Sequence, residues 1–114
     1  MLDDAAPDSP LALDDVTDAV LAVVDKIPAG RVASYGAVGA AAGTTARRAG
    51  RAMRTHGHLT AWWRVVRADG TSPVGERARV HWDEEGIPYT VTRTREGARY
   101  RVDMRWAGLR PGEI

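Results

Sequence analysis

Between Pro28 and Gly57 the chain is punctuated so closely that only short helices fit. Ser34 stands as an N-cap before a small helix, Tyr35–Ala42, and Gly43 ends it as a C-terminal glycine. Thr44 or Thr45 then caps a second helix running to about Thr55, which Gly57 closes. Two short helices joined by a tight glycine-containing turn form the helix-turn-helix unit. The second helix of such a unit is the recognition helix. Upstream, Leu13, Val16, Val20, Val23, Val24 and Ile27 fall on one stripe at helical spacing, predicting an amphipathic scaffold helix over 13–27. Its early acids, Asp14, Asp15 and Asp18, suit the positive end of the helix dipole, and Pro28-Ala29-Gly30 stops it.

Downstream, the β-branched and aromatic content of Leu59–Arg67 predicts a buried strand or extended segment, followed by a turn at Ala68-Asp69-Gly70. Residues 75–85 predict a short helix with Ala78 and Trp82 on one side and Gly86 at its end. Ile87–Arg93 and Ala98–Met104 read as two strands around Arg95-Glu96-Gly97. A hairpin in that place is a wing. The predicted class is therefore α+β, mostly helical: a winged helix-turn-helix DNA-binding domain over 13–106. A disordered acidic tail is expected at 1–12 and a flexible tail at 107–114. At 114 residues the chain holds one domain.

Charge is unevenly placed. Residues 1–25 hold seven acids and no Lys or Arg, so the rest carries all 16 basic residues, 15 of them Arg, against eight acids. From Thr44 to Arg67 there are six arginines and no acid, which points to a polyanion partner. A solvated basic face would give the same composition. On the recognition helix Ala46, Ala49, Gly50 and Met53 form a small-residue stripe, while Arg47, Arg48, Arg51 and Arg54 take the remaining surface. Arg47, Arg51 and Arg54 share a face at i, i+4, i+7 spacing. Four like charges on three turns sit more comfortably beside phosphates than in free solution.

Several chemistries are excluded. The chain has no cysteine, hence no disulfide, thiolate metal site or thiol nucleophile. Three scattered histidines (His56, His58, His81) do not make a metal site, and no cofactor is expected. No nucleotide-binding glycine loop, zinc-binding helix motif or nucleophile elbow is present. Asp83-Glu84-Glu85 reads as a helix C-terminal surface rather than a catalytic carboxylate pair. The start of the chain lacks the features of a signal peptide, and no run reaches the length of a membrane span. A cytoplasmic, nucleoid-associated monomer without membrane contact is expected.

Three blocks carry a family resemblance. Ile27-Pro28-Ala29-Gly30-Arg31-Val32-Ala33-Ser34-Tyr35-Gly36 resembles the "IPxGxVxSYG" signature of the O6-alkylguanine-DNA alkyltransferases. Ala46-Arg47-Arg48-Ala49-Gly50-Arg51-Ala52-Met53-Arg54 resembles their recognition helix, "AxRAVGxAMR". Ala61-Trp62-Trp63-Arg64-Val65-Val66-Arg67-Ala68-Asp69-Gly70 stands where they carry "PCHRVVxxxG". By this alignment the alkyl-accepting cysteine is replaced by Trp62, the following histidine by Trp63, and the preceding proline by Ala61. Alkyl transfer needs a thiolate activated by a neighbouring base. Tryptophan offers no nucleophile, so the chain is expected not to be an enzyme. It is similar instead to the alkyltransferase-like proteins, which also replace that cysteine, commonly with tryptophan. The resemblance implies binding of O6-alkylguanine in duplex DNA, base flipping, and a hand-off to nucleotide excision repair proteins.

The resemblance also implies roles. Arg47 aligns with the intercalating arginine, whose planar head fills the hole left by a flipped base. The chain is slightly shorter than the pattern before this helix, which leaves Arg48 as the alternative. Tyr35 matches the tyrosine that crowds the phosphate 3′ to the target. Ser34 and Thr45, at the two helix starts, join Arg51 and Arg54 in the DNA-binding set, since main-chain N–H groups there hold phosphate. Trp62 forms a wall of the lesion pocket with Tyr35; Trp63 is a second pocket residue or core; Arg64 anchors the loop or a phosphate. The glycine-rich lesion loop of the family is replaced by the short Thr71-Ser72-Pro73-Val74-Gly75.

Other readings compete. A winged-helix transcription regulator would use the same fold in the major groove of undamaged DNA. A glycosylase would clamp a flipped base between Trp62 and Trp63, but no acid or base stands beside them in sequence. A protein-interaction module would carry the basic face incidentally.

Overall fold

The computed structural model describes the backbone of residues 10–114 and the side chains from Asp15 onward. The first helix, α1 (Pro10–Asp25), starts earlier than its apolar stripe predicts, so residues 10–12 belong to it rather than to the acidic tail. The rest of that expected tail lies outside the described residues. Main-chain bonds from Lys26 to Val23 and from Ile27 to Val24, both 3.0 Å, tighten the exit of α1. Strand β1 (Val32–Ser34) leads directly into α2 (Tyr35–Ala41), and a four-residue link leads to α3 (Ala46–His56).

Local chemistry sets both helix starts. The Ser34 hydroxyl oxygen accepts from the Ala37 N–H at 3.0 Å, and the Thr45 hydroxyl oxygen accepts from the Arg48 N–H at 3.2 Å. Each cap satisfies a donor the helix cannot use itself. The turn between the helices needs two glycines. Gly43 takes φ +77°, which closes α2. Gly39 lets the backbones meet: a Cβ there would stand 2.6 Å from the carbonyl of Thr45.

After α3 the chain makes 3-10 turns at Gly57–Leu59 and Trp62–Arg64 and only then a strand, β2 (Val65–Val66). Leu59–Arg64 is thus not the strand that its aromatic and β-branched content predicts. Gly57 begins the first turn, the Thr60 N–H donates back to the Gly57 carbonyl at 2.9 Å, and Arg64 donates to Ala61 at 3.0 Å. Helix α4 (Gly75–Glu85) ends at Gly86 in the left-handed conformation, φ +72°. Strands β3 (Tyr89–Thr94) and β4 (Gly97–Val102) form the predicted antiparallel hairpin. A short α5 (Met104–Ala107), strand β5 (Gly108–Leu109) and a 3-10 turn (Pro111–Glu113) complete the chain.

In the stretch 107–114, expected as a flexible tail, Ala107 and Leu109 are buried in the core while residues 110–113 are exposed. Strand β5 pairs in parallel with β1, and β2 pairs in parallel with its other side, in the order β2-β1-β5. Arg31 clamps this edge by donating to the Ala107 carbonyl at 3.1 Å and the Gly108 carbonyl at 3.4 Å.

The small sheet separates two cores, as a parallel sheet covered on both faces requires. Ala33, Val65 and Leu109 face α1, α2 and α3, where Val20, Val24, Ile27, Val38, Ala49 and Ala52 are buried. Val32 and Val66 face the other way, onto Ala78 and Trp82 of α4, Ile87, Val102 and Ala107. The architecture is α+β, mostly helical, with a helix-turn-helix and a hairpin. Among the described residues no helix is long and apolar enough to cross a membrane.

Candidate nucleic-acid interface

Helix α3 presents its arginines outward. Ala49 and Ala52 are buried and Gly50 and Met53 half-buried, whereas Arg47, Arg48, Arg51 and Arg54 are all exposed. The buried stripe therefore includes Ala52, and Ala46, expected in it, is exposed. Among the described residues none of these four arginines is in an ion pair. Tyr35, at the start of α2, lies half-buried against Gly50 of α3. Burial pushes its phenol above the usual tyrosine range, against the opposing pull of Arg67 and Arg54, so it stays neutral. The hydroxyl oxygens of Ser34 and Thr45 are engaged as caps, leaving their hydroxyl protons to donate elsewhere.

At the foot of α3 opens a cleft of about 330 Å³, within the size range of small-molecule sites. Tyr35, Met53 and Arg54 form the helix side, Gly57 and His58 the turn, and Trp62 and Val65 the floor. Ser72, Pro73, Val74 and Arg77 form the far wall. The Arg77 guanidinium stands over the Trp62 ring, 5.2 Å from its centroid. A Cβ at Gly57 would lie 3.3 Å from the Met53 terminal methyl and in ordinary contact, 3.6 Å, with the Trp62 Cβ.

The two neighbouring tryptophans part company. The Trp63 ring stands at 86° to that of Trp62 and stacks on His81 at 3.9 Å. Its indole N–H donates to Glu85 at 2.9 Å, and its carbonyl accepts from the Trp82 indole at 2.7 Å. Trp63 thus packs, partly buried, against the second core and is not among the residues lining the cleft. Arg64 is likewise absent from the cleft and from the exposed surface. It donates to both carboxylate oxygens of Glu85 (2.6–3.2 Å) and to the Ile27 carbonyl at 2.9 Å, with 18 % of its side chain exposed. Of the readings the sequence offers for Arg64, these bonds fit the anchor of the loop, not a place in the pocket, for a half-buried guanidinium must be paired.

Sequence reasoning missed three residues. Glu85, assigned to a surface, also accepts from the Gly30 N–H at 3.1 Å and so ties the Pro28–Gly30 turn, the tryptophan turn and α4 together. Burial pushes its carboxyl up, but the bonds from Arg64, Gly30 and Trp63 outweigh this and leave it below the usual range. Arg77 and His58 reach the cleft unannounced. For Arg77 the i, i+4 relation to His81, beside the Ala78–Trp82 stripe, is the signal that was there to find.

Fold and surface define a helix-turn-helix DNA-binding domain with a basic recognition helix and a tryptophan-floored cleft beside it. The family profile described as the 6-O-methylguanine DNA methyltransferase, DNA binding domain, matches residues 15–87. The chain belongs to this family. It has no cysteine. Two solved structures share its fold, both of S. pombe proteins: Atl1 in complex with damaged DNA containing O6-carboxymethylguanine (TM-score 0.68), and ATL in complex with DNA (TM-score 0.69). Each is 27 % identical, covering 86 % of this chain and 97 % of the other. A search of the curated proteins returned no match.

Proposed function

We propose that this protein recognises O6-alkylguanine in duplex DNA without repairing it. The observation that carries this reading is the placement of Trp62: it lines a cleft that Tyr35 and Arg54 also border, beside the arginine face of α3. A base inside a duplex reaches such a cleft only by leaving the stack. Trp62 would stack on the flipped base, an interaction worth roughly 1–3 kcal/mol. Arg47, with Arg48 as the alternative, would fill the vacated space, and Tyr35 would press on the neighbouring phosphate. Arg51 and Arg54 would hold the backbone.

The resemblance and the absence of cysteine support a reading without transfer chemistry. The position aligned with the family's cysteine carries an indole, which has no nucleophilic pair to offer. The bound lesion would therefore persist, shielded, until nucleotide excision repair proteins take it over in the cytoplasm. Likeness to Atl1, whose complex holds damaged DNA, supports this reading.

The test is a paired titration at one salt concentration, with one duplex carrying a single O6-methylguanine and the other plain guanine. The lesion base is analysed afterwards. Tighter binding to the damaged duplex with the base intact is expected. Equal binding to both would leave the winged-helix transcription regulator as the better reading, and a demethylated base would mean an enzyme.

A further inference from the structure

Strand β4 alternates in a way the function above does not use. Tyr100 and Val102 turn inward onto the second core, so Arg99 and Arg101 stand on the outer face, both exposed. On β3 their cross-strand partners are Thr92 and Thr90, also exposed. The free edge of β4 is met by the turn after β2. Thr71 bridges Arg101, and the Arg67 N–H donates to the Thr71 carbonyl at 2.7 Å. Arg67 and Arg99 both line a second cleft, of about 460 Å³.

This cleft adjoins the first. Both are walled by Ser72, Pro73 and Val74, one on each side of that short loop. A line of guanidinium groups therefore runs from Arg54, past Tyr35, to Arg67 and on to Arg101 and Arg99. Two acids, Asp69 and Glu76, also line this second cleft, and Arg101 and Arg67 help hold the Asp69 carboxyl below its usual range. One oxygen of Asp69 accepts from the Thr71 N–H at 3.0 Å and from the Thr71 hydroxyl at 2.7 Å. Glu76 accepts from the Tyr100 hydroxyl at 2.8 Å and from Arg79 at 3.2 Å. Among the described residues Arg67, Arg99 and Arg101 are in no ion pair.

We infer that the outer face of the hairpin, through Arg67, Arg99 and Arg101, is a second backbone-contacting surface that takes phosphates of the same duplex held by α3. Exposed guanidiniums outside any close ion pair among the described residues, with the Asp69 carboxylate as the acid acting on Arg67 and Arg101, match a polyanion that continues past the DNA-binding helix. The flanking threonine hydroxyls add donors of the kind that position backbones. The inference rests on DNA binding by this family and not on lesion recognition.

The experiment measures affinity for an undamaged duplex across a salt series. Each phosphate contact contributes about 0.9 to the slope of log K against log salt. The double variant Arg99→Ala/Arg101→Ala should lower the slope by about two, and Arg67→Ala by about one. Arg105→Ala removes an exposed arginine that lines neither cleft and should leave the slope unchanged. Circular dichroism checks that each variant is folded. An unchanged slope in the double variant overturns the inference. So does an equal fall with Arg105→Ala, which would mark a net-charge effect. Loss of lesion preference in the wild-type protein, with the slope change intact, would sink the proposed function and leave this surface standing.

Discussion

The Trp63 indole donates to Glu85 at 2.9 Å while the Trp62 ring, next in the chain and nearly perpendicular, floors the cleft. Both indoles pack against the second core, but only Trp63 is bonded to this carboxylate and only Trp62 lines the cleft. Glu85 also holds Arg64 and the Gly30 N–H, with 12 % of its side chain exposed.

Glu85→Gln keeps the shape and removes the charge. It should cost about 2–4 kcal/mol in urea unfolding, because Arg64 is left half-buried without its counter-charge. The pH dependence has a definite sign. The Glu85 carboxyl titrates below its ordinary value of 4.5 in the folded state. Its stabilisation is therefore fully present above that value and is lost as pH falls through the folded one. The stability gap between wild type and Glu85→Gln should narrow in acid, and a gap independent of pH would contradict the ion pair.

Trp62→Ala tests the cleft floor. Its ring is only half-buried, so folding should be little affected. The preference for the damaged duplex should shrink by about tenfold or more, the equivalent of roughly 1–3 kcal/mol of stacking, while affinity for plain duplex stays within a small factor. Fluorescence anisotropy on the two duplexes separates the effects, and a parallel loss on both would remove Trp62 from the pocket.

Arg47→Ala and Arg48→Ala distinguish the two candidate intercalators. Both are exposed on the first turn of α3, where Thr45 fixes the Arg48 main chain rather than its side chain. Arg47→Ala should erase lesion discrimination, and Arg48→Ala should chiefly weaken all duplexes. The reverse outcome would assign the role to Arg48.

Trp62→Cys should not restore alkyl transfer. A thiol there lacks the histidine that follows it in the family's pattern, since the Trp63 indole nitrogen only donates and Glu85 is taken by Trp63 and Arg64. After long incubation with O6-methylguanine duplex, mass spectrometry should find no methyl on the variant. A stoichiometric methyl adduct would show that the site retains activating power of its own.

What the sequence discloses and what it hides follow a physical line. Ser34, Gly43 and Thr45 act on donors and turns within a few residues, so the helix-turn-helix was readable, as was the hairpin about its two-residue turn. Strands β1, β2 and β5 are two or three residues long and carry no period of their own. Their pairing across the chain was invisible, and the segment holding β5 was taken for a loose end. Around the site, Trp62 and the α3 arginines were legible as types in a pattern. Arg64 was not, because its role depends on a carboxylate 21 positions away. Arg77 reaches the cleft only once α4 is docked.

The middle strand of the sheet has consequences for how the protein is made. Val32 and Ala33 wait for Gly108 and Leu109, whose partners they become. Such distant pairing slows folding and postpones it. On the ribosome the helix-turn-helix can begin to coil early, but Tyr35 is seated on a strand that lacks one neighbour until residue 109 emerges. A nascent chain would thus carry its recognition helix from about residue 56 to residue 109 with its footing unfinished.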